Sequence, residues 1–439
     1  MKTHYPVVIV GGGQAGLSVS YCLKQKGIEH IIFEKNEIAS AWKHKRWDSF
    51  CLVTPNWQCT LPGYPYPGDD PHGFMQRDEI VQYVKDYAKF FQPNIKEGVG
   101  VEKISSTQGS YSQRNNKQNG EQHKYEVQTT IGTYYADQVV IATGGYHRPK
   151  RLRIAERLPQ EIVQMHSYEY KAPAALPAGD VLIVGTGQSG CQIAEDLHLA
   201  GRKVHLCVGG APRSPREYRG KDVVDWLDQL GYYDITIHDH PQKETVRTKT
   251  NHYVTGRGGG REIDLRQFAT EGMQLYGKLK AVENQQLAFE DNLKQNLDQA
   301  DDVAESIKHT IDKYIEENNI EAPVDPPYKP VWEPTNATLS LNLQQTDIKT
   351  VIWATGYHMN FSWLEVPAFD GKGYPTHERG VTTAEGLYFV GLPWLHTWGS
   401  GRFSGIARDA AHLADCIALK SNILNHKPAR IFNPAAVGS

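Results

Sequence analysis

Val7-Val8-Ile9-Val10-Gly11-Gly12-Gly13-Gln14-Ala15-Gly16 is the stretch whose reading decides the fold. Four consecutive apolar residues read as a buried parallel strand, and Leu17 to Lys24 continue as a helix. Between them, Gly11, Gly13 and Gly16 stand in G-x-G-x-x-G spacing. The first glycine permits a tight turn, the second lets backbone N–H groups approach a pyrophosphate, and the third lets helix and strand pack closely. A pyrophosphate in this turn lies on the positive end of the helix dipole. Past Gly27, Ile31-Ile32-Phe33 forms a second apolar strand that ends in Glu34, where a carboxylate meets a ribose hydroxyl.

The unit recurs. Val181-Leu182-Ile183-Val184-Gly185-Thr186-Gly187-Gln188-Ser189-Gly190 repeats strand and turn, and Cys191 to Leu199 repeat the helix. Two such units are far more specific than one, because each implies its own nucleotide site. They differ where the ribose would sit. Glu34 stands eighteen residues after Gly16, whereas Val208 stands eighteen after Gly190, with Arg213, Arg216 and Arg219 close behind. A carboxylate there repels a 2′-phosphate, and an arginine pairs with it bidentately. The expectation is therefore FAD in the first unit and NADPH in the second, with Arg213 on the 2′-phosphate; a solvated loop is the alternative for the arginines.

Composition narrows the class. The chain has 439 residues and a formal net charge of −3, so there is no electrostatic argument for nucleic acid or an anionic membrane. No apolar run approaches the length of a membrane span, and with the first strand beginning within six residues no signal peptide is expected. Cys22, Cys51, Cys59, Cys191, Cys207 and Cys416 include neither C-x-x-C nor zinc-ligand spacing. They read as reduced thiols in a cytoplasmic protein, which argues against a dithiol–disulfide reductase and against a metal centre.

Between the two units, Trp42 precedes the basic run Lys43-His44-Lys45-Arg46, which is either a solvated face or an edge laid along a diphosphate or flavin. Trp47 to Trp57 suit a pocket wall. Arg77 to Phe91 are helical, Gln108 to Gln122 form a hairpin loop, and Val139-Val140-Ile141-Ala142-Thr143-Gly144 is a strand ending in Ala-Thr-Gly that lets a cofactor approach the backbone. Gly256 to Arg266 is a Gly/Arg loop, either a phosphate nest or a hairpin tip. Leu293, Leu297, Ala300, Ala304, Ile307, Ile311 and Tyr314 predict one amphipathic helix, packed on the body or lidding the cleft. Pro323 to Pro334 read as a stiff connector back to the first domain. Thr350 to Gly356 repeats the Ala-Thr-Gly strand, and Gly399 to Gly405 leads into a last helix whose N-terminus is an anion site.

In this order the pieces resemble the flavin-containing monooxygenases and their bacterial relatives, the class B flavoprotein monooxygenases. The resemblance rests on both glycine turns, Ala142-Thr143-Gly144, Trp353 to Tyr357, and His166 with Tyr170 between the units. The family's stretch there is F-x-G-x-x-x-H-x-x-x-Y/F; this chain keeps His166 and Tyr170 but carries Gln160 and Ile162 in place of Phe and Gly. The resemblance implies an α/β fold of two Rossmann-like dinucleotide-binding domains, the NADPH domain inserted into the FAD domain, with an extra, partly helical insertion. The boundaries expected are 1–165 and 331–439 for the FAD domain and 166–330 for the NADPH domain, with the insertion at 235–330.

It also implies a reaction. NADPH reduces FAD, dioxygen adds at flavin C4a, and the hydroperoxide passes one oxygen atom to a small nitrogen- or sulfur-containing substrate. Asn56 falls near the family's asparagine beside that hydroperoxide; an Asx-turn after Pro55 is the alternative. Cofactor contacts are expected from Gly11, Gly13, Gln14, Ala15, Gly16, Glu34, Lys35, Trp42, Arg46, Thr54, Val101, Ala142, Thr143, Gly144, Phe403 and Ser404. Gly185, Gly187, Gln188, Ser189, Gly190, Arg213, Thr355 and Gly356 complete the set. A Baeyer–Villiger oxygenase, a flavin oxidase and, from another class, a nucleotide-sensing regulatory flavoprotein are the competing readings. A homo-oligomer is left open.

Overall fold

The computed structural model describes residues 2–107 and 123–425. The expected hairpin loop at Gln108 to Gln122 lies outside the described residues.

The quoted stretch forms the strand His4–Val10 and the helix Gln14–Gln25. Val7, Val8 and Ile9 are wholly buried, as a strand covered on both faces requires. That strand pairs in parallel with His30–Phe33 on one side and Gly132–Ile141 on the other, so that Ile9 stands between Ile32 and Val140. Ile95–Lys96 extends the sheet in parallel beyond His30–Phe33, and Leu387–Phe389 pairs in parallel with the end of Gly132–Ile141. The lower half of Gly132–Ile141 instead carries an antiparallel meander, Tyr125–Thr129 and then Val101–Ser106. The helices Gln14–Gln25, Arg77–Phe91 and Ile406–Asn425 cover one face through Leu17, Ile80, Val84 and Leu413.

A second sheet is built from five parallel strands in the order Val163–His166, Ile348–Trp353, Asp180–Val184, Val204–Cys207 and Gln274–Tyr276. This topology corrects the expected boundaries. The strand ending at Trp353 is expected in the FAD domain, yet it lies inside the second sheet, between Val163–His166 and Asp180–Val184, so the second domain runs to the Ala354-Thr355-Gly356 turn rather than ending at residue 330. Residues 235–330 are not one insertion either, because Gln274–Tyr276 completes the parallel sheet. Beyond it, Leu279–Glu283 and Gln286–Phe289 pair with Ser340–Asn342 in a small antiparallel sheet. The proline-rich connector therefore leads back into the second domain, not the first.

The heptad stripe forms one helix, Leu293–Glu317. Leu293, Leu297 and Ala300 enter the core of the second domain, while Ile311 packs beside Trp226. The helix is thus a wall of that domain. Among the described residues, no helix is long and apolar enough to cross a membrane.

Candidate active site

Both glycine turns close in the same way. Gly11 has φ +109°, and a Cβ there would stand 2.6 Å from the Ala142 carbonyl oxygen; Gly185 has φ +105°, and its Cβ would stand 2.8 Å from that of Ala354. A Cβ on Gly16 would overlap the Gly11 carbonyl oxygen, and one on Gly190 would overlap that of Gly185. Each Ala-Thr-Gly strand end is therefore the partner of one turn: Ala142 of the first, Ala354 of the second. Gly13 and Gly187 are the N-caps of their helices, with no side chain between the helix terminus and the cradle.

At the first turn, the Glu34 carboxylate accepts from Gly12 N–H (2.7 Å) and Asn36 N–H (2.9 Å), which holds it beside the cradle. Lys35 follows it against Gly100, next to Val101. Gln14, at the helix start, accepts from the Trp42 indole N–H at 3.1 Å. Trp42 stacks on Phe403, with ring centres 5.7 Å apart, and the Arg46 guanidinium lies 5.1 Å from the Trp42 ring. Ala15 packs against Gly391. Ser404 Oγ is buried with no hydrogen-bond partner among the described residues, just ahead of the helix Ile406–Asn425. Gly144 has φ +70°, Thr143 Oγ1 lies 3.3 Å from His147 Nε2, and Thr54 is buried. Residues far apart in sequence thus converge: Gln14, Trp42, Arg46, Phe403 and Ser404 line one side of the first cradle.

The second turn is occupied differently. Thr186 Oγ1 and Gly209 exchange hydrogen bonds, bridging the turn to the end of the strand Val204–Cys207. Gln188 donates to the Val254 carbonyl at 2.5 Å, and Thr250 Cγ2 lies 3.5 Å from where a Gly187 Cβ would be, so the 250–254 segment crosses this cradle; Ser189 follows at the helix start. Thr355 donates to the Lys150 carbonyl, and the Gly356 carbonyl accepts from His166 Nε2 at 3.0 Å.

Two site expectations are corrected. Arg213 is 1% exposed, ion-paired with Glu262 and with Asp301 (2.7 Å), and stacked on Tyr328 at 4.3 Å. Its guanidinium is committed to the domain interior and presents no face to a 2′-phosphate. Arg216 and Arg219 are likewise paired, with Asp222 and Asp312. Asn56 is 3% exposed; its Oδ1 accepts from Met75 N–H and its Nδ2 donates to the Asp70 carbonyl, both at 2.9 Å. Both ends of the carboxamide staple the 56–75 loop; these bonds span 14 and 19 residues, so the amide forms neither the Asx-turn alternative nor a contact to reacting atoms.

The sequence reading missed a knot between the two domains. Asp196, buried on the second helix, accepts from Tyr170 Oη, Ser49 Oγ and Arg257, all at 2.6 Å. Ser49 belongs to the wall loop that also carries Val53, whose carbonyl accepts from Arg216 at 2.8 Å. A cavity of about 270 Å³ lies against the knot, lined by Asp48, Ser49, Lys171, Asp196, Leu199 and Arg257 among others. It sits at the C-terminal end of the helix Gln188–Leu199, about 18 Å from the glycine turn by helix rise. It is therefore not the cofactor cradle.

All six cysteines are free. Burial pushes the Cys22 thiol up to about 11 and those of Cys51 and Cys59 up to about 12; Cys191, Cys207 and Cys416 are raised by the same cause. None is held as a thiolate near neutrality, the form that attacks a disulfide.

The family model for pyridine nucleotide-disulphide oxidoreductases matches residues 8–301, about two thirds of the chain. The chain belongs to that family. It is 31% identical over 424 residues to an oxidoreductase of Geobacillus kaustophilus described as CzcO-like, covering 96% of this chain and 98% of that one. A probable indole-3-pyruvate monooxygenase of Arabidopsis thaliana is 30% identical over 245 residues, about half of each chain. The fold is shared with the flavin-containing monooxygenase of Stenotrophomonas maltophilia, with a TM-score of 0.62 at 18% identity over 96% of this chain and all of that one. The chain is an oxidoreductase of that family.

Proposed function

We propose that this family member is an NADPH- and FAD-dependent monooxygenase that inserts one oxygen atom of O2 into nitrogen or sulfur of a small nucleophilic molecule. The observation that carries the reading is a pair of matched dinucleotide cradles in a chain whose six cysteines are all free and raised by burial. The chain has the electron path of a disulphide reductase without its dithiol, so the electrons are directed to another acceptor. The monooxygenase name of the plant relative supports dioxygen as that acceptor, for the half of the chain it matches.

The first cradle fits FAD. Gly11, Gly13 and Gly16 leave room for a pyrophosphate at the helix terminus, Glu34 stands where a ribose hydroxyl would donate, and Ser404 offers an unpartnered hydroxyl. The second cradle, from Gly185 to Gly190, fits NADPH, with Thr355 and Gly356 beside it. Bound FAD supplies hydride acceptance from NADPH and the activation of dioxygen. The chain's own part is to orient and to exclude water. Trp42 and Phe403 would wall a bound flavin, Arg46 places a positive charge over Trp42, and the positive end of the helix Ile406–Asn425 would favour negative charge on a reduced ring. NADPH preference over NADH rests on Val208 standing where the first unit has Glu34, rather than on Arg213.

The test is turnover with NADPH under ¹⁸O₂ against a panel of small amines, sulfides and ketones. Label in an N-oxide or sulfoxide, with one NADPH consumed per product, is the expected result. Label in an ester would move the assignment to Baeyer–Villiger chemistry. Hydrogen peroxide as the sole product with every substrate would make it an oxidase, and no flavin reduction by NADPH would overturn the enzyme reading.

A further inference from the structure

We propose that His4, His123 and Asp137 form a divalent transition-metal site on the outer face of the first sheet. The three residues come from separate segments: the start of the strand His4–Val10, the residue two positions ahead of Tyr125–Thr129, and the middle of Gly132–Ile141. One ligand atom from each lies within 4.8 Å of the other two. Zinc–ligand bonds of about 2.0–2.1 Å in a tetrahedron put neighbouring ligand atoms about 3.3 Å apart. His4 Nε2 and Asp137 Oδ1 already stand 3.2 Å apart. The His4 and His123 rings lie 4.1 Å apart centre to centre, so a small turn of His123 brings its nitrogen to the third corner.

The backbone holds these positions before any ion arrives. His4 is registered opposite Tyr135, and the strand period of two puts Asp137 on the same face as Tyr135. The His123 ring stacks on Tyr135 at 5.3 Å. Its carbonyl accepts from Thr107 Oγ1, and the backbone N–H of the next residue, Lys124, donates to the Ala136 carbonyl at 3.2 Å. His4 and Asp137 are about a quarter exposed, which leaves an entry path. Two imidazoles and one carboxylate select zinc, nickel or copper over magnesium or calcium, whose preferred donors are all oxygen. The site lies at the opposite end of the strand from the glycine turn, about 20 Å away by strand rise, so it ties three segments of the sheet together without touching the cofactor cradles.

The test uses the full-length, flavin-loaded protein, free of any affinity tag and stripped of metal by chelation. Zn²⁺ is titrated in competition with a chromophoric chelator, beside the variants His123→Ala, Asp137→Asn and His4→Ala. Retained flavin absorbance reports folding, and His123→Ala, outside any strand, is the variant least able to disturb it. The expected result is one equivalent of Zn²⁺ bound by the parent chain, a rise in its thermal midpoint with Zn²⁺ but not Mg²⁺, and affinity weaker by roughly tenfold or more in each folded variant. Absence of a bound equivalent in the parent chain would overturn the proposal. So would equal Zn²⁺ affinity in His123→Ala and the parent, which would assign binding to other histidines.

Discussion

The two glycine turns share a backbone and differ in what surrounds it. Gly11 closes on Ala142 and Gly185 on Ala354, with nearly equal clearances. Around the first, side chains converge and leave an unpartnered hydroxyl at Ser404. Across the second lies a polypeptide segment, held by Gln188 on the Val254 carbonyl, and the arginines that follow its strand are locked to carboxylates. A nucleotide fingerprint therefore describes the phosphate cradle only. The rest of each site is set by whatever later chain the fold places against it.

That contrast yields ordered expectations. The largest effect is at the third glycine of each turn. Gly16→Ala drives a Cβ into the Gly11 carbonyl and Gly190→Ala drives one into Gly185, each costing about 3 kcal/mol locally. Gly16→Ala should be purified without flavin, whereas Gly190→Ala should keep its flavin absorbance and lose reduction by NADPH. Loss of flavin from Gly190→Ala would break the division of labour.

Next comes Arg213→Ala, which removes a buried guanidinium from the half-buried Glu262 and from Asp301, which keeps Arg266 at 2.9 Å. It should lower unfolding stability by about 2–3 kcal/mol in denaturant titration. The ratio of NADPH to NADH efficiency should stay unchanged in the folded fraction; a shift toward NADH would restore Arg213 as a phosphate ligand. Glu34→Gln should then weaken flavin binding by about 1.5–3 kcal/mol, a tenfold change or more, read by fluorescence as free flavin on dilution.

The smallest effect is the share of the pH dependence that comes from the second turn. Burial lowers the His166 pKa below its ordinary 6.5, and the neutral ring holds the Gly356 carbonyl. As pH falls from 6.5 toward that lowered value, the unfolded chain takes up a proton that the folded chain refuses, so stability is lost on the acid side. The thermal midpoint should fall in that window with a slope that His166→Gln flattens. An unchanged slope would remove His166 from the account.

The legible part of this fold was the part written in short-range pattern. Two strand–turn–helix units, six unpaired thiols and the stripe from Leu293 to Tyr314 were visible because each rests on contiguous or periodic residues. What was not legible depended on partners distant in sequence. The strand ending at Trp353 and that ending at Ile141 look alike, and nothing local tells which sheet takes which. Arg213 follows its strand as a phosphate-binding arginine would; its carboxylates arrive 49 and 88 residues later. Asn56 resembled a catalytic amide, while its partners Asp70 and Met75 wait at the far end of a loop. The Asp196 knot draws on Ser49, Tyr170 and Arg257, three segments without a common motif.

That knot makes the two halves of the molecule one thermodynamic system. Ser49 belongs to the first domain, Asp196 to the second, and their half-buried hydrogen bond shares its carboxylate with two further donors. A ligand that stiffens or strains this junction from one side changes the free energy available to the ligand on the other. Reciprocity then fixes the exchange: whatever factor NADPH applies to the hold on FAD, FAD applies to the hold on NADPH.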